Sequence, residues 1–456
     1  MLRRRPAGVR APLGELRRIL GTTTGVAVGI GTAVGAGILR TPGEVAKALP
    51  SVPWILGVWC IGALVATLDV LILAEMSASV PRVGGLVAYV RLSFGPAAAF
   101  LVGWSMLLVT WPASLALVAV ATGDLLCGGA ATLAPGAAPT SSGAVVAAAV
   151  IAAVGAVNLV GLRWSARFEV VLLLLKVTLL AGICIAAAIA APAPAAGVAA
   201  AAFPVAPGEL FAALGGAMTS VIFTYDGYAD AVYLAGETRA PGRALPRALF
   251  TALLVITALY LLANVTFLAV LGIDGLAQSQ FPALDVARRA FGTVGAQALT
   301  VIAVVVMLGA INAYFLTGPR IARVLAEERL ALPALGRVPE SGAPVVATLW
   351  IVLAAIAFAL TTTFAQLLSV TVPILSATTA LVAAGLLVQR VRAPARERPF
   401  RVRQGWLVVG LQLLIGLALL ASFVVANPAA LAIDVAALAL GLVVYAFVRP
   451  RAVRSA

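Results

Sequence analysis

Four glycines, Gly29, Gly31, Gly35 and Gly37, fall inside an apolar stretch, residues 25–50, that is long enough to cross a bilayer. Glycine costs a helix interior about 1 kcal/mol relative to alanine, so a helix with this spacing is expected to break, freeing main-chain N–H and C=O groups. Hydrocarbon offers them no partner, and irregular backbone at membrane depth is tolerated only inside protein or beside a wet cavity. In such a cavity the freed groups form a site for a small polar molecule. Close helix packing through the Gly31/Gly35 GxxxG pair is the alternative use of the same residues. A second apolar stretch, 210–237, carries Asp226, Gly227 and Asp230 near its centre. A carboxylate there costs about 3 kcal/mol or more unless it meets water or a partner. Two interrupted spans in corresponding halves of a chain are the pattern of a binding site near the bilayer midplane. A third group is Lys176, inside the apolar run LLLLKVTLL. A lysine at that depth must be paired, hydrated or neutral.

The elements that position these groups follow from composition. Hydrophobic residues make up 62% of the 456-residue chain and charged residues 11%, against about a quarter charged in soluble domains, and the mean hydropathy is +1.10. The fold class is therefore an all-α polytopic membrane protein. The net charge of +14 occurs in short clusters between apolar runs, with no basic recognition helix, so a nucleic-acid partner is not expected. With no histidine, and with three cysteines (Cys60, Cys127, Cys184) in or beside apolar segments, neither a disulfide framework nor a metal site is expected, and no cofactor. No nucleophile and base stand together, so the chain does not read as an enzyme.

Runs of about 20 apolar residues give twelve candidate spans: 22–47, 53–80, 95–126, 142–161, 166–191, 209–236, 245–271, 294–326, 343–363, 366–390, 405–426 and 429–448. Residues 275–292 are mixed enough for a short surface helix. With the N-terminus inside, every arginine except Arg40, Arg288 and Arg289 falls on the cytoplasmic side, as the positive-inside rule requires. Both termini are thus expected in the cytoplasm of a multi-pass cell-membrane protein. The two ends, 1–21 and 450–456, read as cytoplasmic tails. The stretches 129–142 and 192–208 read as outward loops.

At this point the residues resemble a known family. Gly31 to Ile38 followed by Thr41-Pro42-Gly43 resembles the first-span signature of the amino acid–polyamine–organocation transporters. Ala74-Glu75-Met76 with Pro81 to Val90 and Phe94-Gly95 resembles the end of the second span and its loop. Phe223-Thr224-Tyr225-Asp226-Gly227-Tyr228, then Ala235-Gly236-Glu237-Thr238, Pro241, Arg243 and Leu245 to Ala248, resembles the sixth-span signature. The resemblance implies a secondary transporter of amino acids or related amines, with a core of ten helices (22–391) in a 5+5 inverted repeat of the leucine-transporter type (22–191 and 208–391), two peripheral helices (404–449), and spans one and six discontinuous. It places the substrate carboxylate at Gly35, Ala36, Gly37 and Ile38. A half-helix there carries roughly +0.5 charge and unpaired donors. The ammonium is implied to meet carbonyls around Val34, Phe223, Thr224 and Asp226, with Tyr225 and Gly227 completing the second break. Phe223 and Tyr314 match gating positions, and Thr110, Ser114 and Asn312 are candidates for side-chain selectivity, although Ser and Thr in membrane helices often bond their own backbone. Ala229 departs from the acidic or amide residue of several relatives, so specificity for cationic amino acids is not implied.

Lys176 resembles the fifth-span lysine of proton-coupled members. Lys47 is the other lysine among 31 basic residues, so a retained lysine in an apolar helix suggests a group that must deprotonate, which arginine cannot do. The expectation is proton-coupled, sodium-independent transport of an amino acid, more plausibly neutral than charged. A fixed charge holding spans one and eight together is the alternative role for Lys176. Exchange of amino acids or amines without proton coupling, and a polyamine or organocation permease, stand as alternative functions. Arg40, beside the first break, is open to anion attraction or to a carboxylate partner. Asp69, Asp230 and the oligomeric state receive no assignment. Glu75 is expected to pin the Arg82 loop, Asp124 and Glu44 to be solvated, and Glu237 to belong to a network with Arg239 and Arg243.

Overall fold

The computed structural model describes residues 20–49, 51–80, 84–133, 142–160, 162–190, 207–328, 330–331, 333–337 and 344–448. The tail residues before Leu20 and after Val448, Arg82, and most of the two expected loops lie outside the described residues. Among the described residues the secondary structure is helical apart from one bridge, Leu20 with Thr238.

The helices are α1 (Thr22–Ala33), α2 (Ala36–Ala48), α3 (Val52–Ser79), α4 (Gly85–Phe94), α5 (Pro96–Ser105), α6 (Trp111–Leu133), α7 (Gly143–Val160), α8 (Leu162–Ala190), α9 (Pro207–Tyr225), α10 (Pro241–Gln278), α11 (Pro282–Glu327), α12 (Val345–Thr361), α13 (Phe364–Arg392), α14 (Gly405–Ala426) and α15 (Pro428–Val448). Each of the twelve expected apolar segments is helical. Among the described residues eight helices are long and apolar enough to cross a membrane, and α1 with α2, bent by 41° at their break, makes a ninth. α7 and α12 are shorter apolar helices, and α9 stops at Tyr225. α6 also runs to Leu133, into the stretch that reads as a loop from residue 129.

Two boundaries follow from glycine. α10 and α11 each join two helical pieces across a kink, at Gly272 (φ 70°) and Gly292 (φ 67°). The mixed segment expected as one surface helix is therefore two short pieces, each set at an angle to a long helix.

Burial ranks the helices by depth. In the Pro96–Cys127 run 94% of the apolar window is buried inside the protein, against 33% in α14 and 17% in α15. α15 packs on α5 and α13, whereas α14 packs against α3, α9 and α13. The large apolar residues left exposed, among them Leu174, Val301, Leu353, Trp406 and Phe447, form the outer surface that lipid covers. At the centre α1 packs on α8, α10 and α11, and α2 packs on α9 and α10.

Candidate functional site

The first break is a two-residue interruption. α1 ends at Ala33, Val34 takes φ −78° and ψ 88° while donating its N–H to the Ile30 carbonyl, and Gly35 takes φ −148° and ψ −138°. α2 restarts at Ala36, so the N–H groups of Ala36, Gly37 and Ile38 belong to a first helical turn that has no earlier carbonyl to bond. Thr32, just before the break, donates to the Val28 carbonyl at 2.7 Å and lies 3.1 Å from the Gly227 carbonyl.

The second break mirrors it. α9 ends at Tyr225, Asp226 donates its N–H to the Ile222 carbonyl at 2.9 Å, and Gly227 turns at φ 116° into a ten-residue 3-10 helix, Tyr228–Glu237. Such runs rarely exceed three or four residues. The reversal needs glycine twice over. The φ value is one that L side chains rarely adopt, and a methyl group on Gly227 would collide with the Ala33 nitrogen.

The two breaks touch. A methyl group at Gly37 would stand 3.0 Å from the Thr224 Cα, so the start of α2 lies directly against the end of α9. Thr41 and Thr224 share a hydrogen bond of 2.7 Å between their hydroxyls. The Tyr260 hydroxyl, from α10, sits 2.8 Å from both the Ala33 and Thr224 carbonyl oxygens and so ties the last turn of α1 to the last turn of α9. Tyr260 has no place among the sequence candidates. Its one legible signal is a phenol inside an apolar helix, which needs a partner when buried.

The remaining candidates surround these breaks at different depths. Lys176 is fully buried, and its ammonium donates to the Gly31 carbonyl at 2.8 Å. It also lies against Gly309 of α11. Phe223 and Tyr314 are buried, 6% and 5% exposed. Thr110 closes a π-helical turn, Met106–Thr110, between α5 and α6, and its buried hydroxyl has no partner. π-Turns of this kind recur at functional sites. Ser114 lies one turn further on and is buried. The Asn312 side-chain oxygen accepts from Asn158 of α7 at 3.0 Å. Asp226 also lines a small cavity together with Asp69.

At one end of the bundle Arg40 pairs with Asp124 at 2.6 Å, and its guanidinium lies 4.1 Å from the Phe364 ring centre. Asp124, expected to be solvated, is therefore an ion-pair partner. Arg40, Phe364 and Ser220 line a recess of about 260 Å³ above the Thr41/Thr224 pair. At the other end Glu237 is held by Arg320 through two bonds of 2.7 and 3.0 Å, in place of Arg239 or Arg243. Beside it the Leu20 N–H donates to the Glu237 carbonyl. Glu75, fully buried, is bound by Arg390 (2.9 and 2.5 Å) and by the Val402 N–H (2.8 Å).

A helical bundle with two membrane helices broken against each other defines a multi-pass membrane transporter. The chain belongs to the amino acid permease family, whose description matches residues 20–447. It is 24% identical to the serine/threonine exchanger SteT of Bacillus subtilis over 69% of each chain. It is 27% identical to the b(0,+)-type amino acid transporter 1 of Mus musculus over 62% of this chain and 60% of that protein. An uncharacterized transporter of Mycobacterium tuberculosis is 32% identical over 72% of this chain and 70% of its own length. The family is one of transporters of amino acids, embedded in membranes, and not of enzymes.

Proposed function

We propose that this permease carries neutral amino acids as zwitterions, by alternating access around the two breaks. The observation that carries this reading is the contact of Gly37 with Thr224. It sets the N-terminal turn of α2, a donor-rich and partly positive end, beside the carbonyl-rich end of α9. A carboxylate suits the Gly35, Ala36, Gly37 and Ile38 N–H groups. An ammonium suits the carbonyls of Val34, Phe223, Thr224 and Asp226. Phe223 and Tyr314 act as gates, Thr110 and Ser114 face the side chain, and the Arg40–Asp124 pair closes the route from the outside. Twelve spans in a 5+5 inverted repeat plus two, with both termini cytoplasmic, fit the arginine distribution.

Transport in this proposal is driven by protons and needs no sodium. Lys176 supplies a positive charge at the Gly31 carbonyl, within a helical turn of the first break, where loss of its proton would release α1. The resemblance to the serine/threonine exchanger supports a second reading, obligatory exchange without net proton movement. Uptake of labelled neutral amino acids into proteoliposomes separates the two. Uptake into empty vesicles, raised by an inward proton gradient and unchanged by sodium, is expected. Uptake only into vesicles preloaded with amino acid would favour exchange, and uptake of no amino acid in either format would overturn the proposal.

A further inference from the structure

Behind the second break, on the side of α9 away from α1, lies a cavity of about 30 Å³ that the substrate site does not use. It is bounded by α3, α9, α13 and α14 and contains two carboxylates, Asp69 and Asp226, with Tyr228, Gln412, Ser376 and Thr379. Asp69 is 7% exposed and both its oxygens are engaged: Gln412 Nε2 donates to one at 2.7 Å and the Tyr228 hydroxyl donates to the other at 3.2 Å. Gln412 is 3% exposed, and its Oε1 has no hydrogen-bond partner. Thr379 spends its own proton on the Ser376 carbonyl. The ionisable groups that face the cavity or adjoin it are Asp69, Asp226, Tyr225 and Tyr228, with Asp230 on the 3-10 helix and Tyr260 on α10 further out. No lysine or arginine is among the lining residues.

One buried acceptor on this lining, the Gln412 Oε1, has no donor. Asp69 already draws on the Gln412 amide and the Tyr228 hydroxyl, and Asp226 is the second carboxylate on the same cavity. Two charged carboxylates on one cavity with no cationic lining residue would also repel, since a shared site cannot hold both charges without a counter-charge. A hydrogen on Asp226 cures both faults, because it removes one charge and creates the missing donor. The space is large enough for a water molecule to deliver it.

We propose that the Asp69, Asp226, Tyr228 and Gln412 cluster is a second proton-binding site, separate from Lys176, in which one proton is held on Asp226 while α9 and the 3-10 helix stand as they do here. Asp226 then has two roles divided between its atoms. Its main chain belongs to the break, and its side chain carries the proton. When the break rearranges, the proton passes from the Asp226 carboxyl oxygen to water in the cavity. The site rests on the transporter reading for its use, but its existence can be tested without transport.

Infrared difference spectroscopy on the purified protein, stepping the pH without substrate, reads buried carboxylic acids directly. The expected result is a carboxylic C=O band that vanishes as pH rises. It should be lost in Asp226→Asn, kept in Asp230→Asn and kept in Lys176→Met. Gln412→Leu, which leaves both carboxylates and lies outside the substrate site, should shift the band and its titration midpoint, and thermal melts of each variant establish that it is folded. A band that persists in Asp226→Asn, or that is indifferent to Gln412→Leu, overturns the proposal. So does displacement of the band by sodium at constant pH, which would make the cavity a metal-ion site. A band that behaves as expected in a protein that moves no amino acid would retain the proton site and reject the transport reading.

Discussion

The Lys176 ammonium donates to the Gly31 carbonyl at 2.8 Å, four residues before Gly35, with its methylene stem against Gly309 of α11. One buried cation therefore joins the first broken span to α11. If it is also the proton carrier, Lys176→Met should abolish uptake driven by a pH gradient while the protein still binds substrate. Uptake by a proton-driven assay and binding by thermal shift are the two readings. Undiminished gradient-driven uptake in the variant would assign the proton to another group.

Tyr260 links the carbonyls of Ala33 and Thr224. Tyr260→Phe removes a hydroxyl and little volume, so a net loss of about 1 kcal/mol is expected. Because the lost bond holds the two breaks at their present spacing, apparent substrate affinity should weaken roughly fivefold by that same increment. Unchanged affinity with a lowered Tm would restrict Tyr260 to a structural role.

Gly227→Ala places a methyl group against Ala33 at a φ of 116°. The two penalties coincide at the meeting point of the breaks, and transport should be lost. Gly216, where an added methyl meets nothing within 4 Å, is the matched control, and Gly216→Ala should transport normally.

Breaking the Arg40–Asp124 pair tests the outer closure. Asp124→Asn leaves the Arg40 stacking on Phe364 intact and removes the 2.6 Å ion pair. A cysteine introduced at Ser220, which lines the recess beneath Arg40, should then react faster with a membrane-impermeant thiol reagent added outside. Equal labelling rates with and without the pair would rule out a closing role.

Glu75 is fully buried and takes bonds from Arg390 and the Val402 main chain. Removing one partner of such a pair costs about 3–5 kcal/mol, so Glu75→Gln should lower Tm strongly and leave the substrate affinity of the folded fraction unaltered. A small change in Tm would mean that the pair is solvated.

Both breaks were legible in the sequence because each is a local conflict, four glycines or a carboxylate in a helix that lipid would otherwise require to be continuous. The depth of Lys176 was legible for the same reason. The partnerships were not. Arg40 with Asp124, Glu237 with Arg320 and Glu75 with Arg390 join residues 84, 83 and 315 positions apart, and charge alone does not say which carboxylate a guanidinium reaches. Tyr260 escaped because a single phenol in an apolar helix has no visible partner until α1 and α9 are packed beside it. The π-turn at Met106–Thr110 has no composition of its own. The segment 275–292 is mixed in composition, which does not show the positive φ values at Gly272 and Gly292 that set its two pieces at an angle.

The account depends on a guest that serves both breaks at once, its carboxylate at the start of α2 and its ammonium at the end of α9. The most direct measurement is a comparison of binding, by thermal shift or calorimetry, among a neutral L-amino acid, its carboxyl-blocked amide and its N-acetyl derivative. The intact zwitterion should bind more tightly than either derivative by on the order of tenfold or more, since each loses a charge-assisted set of hydrogen bonds. Equal binding of the amide or the acetylated compound would contradict the claim that the two interrupted helices share one ligand.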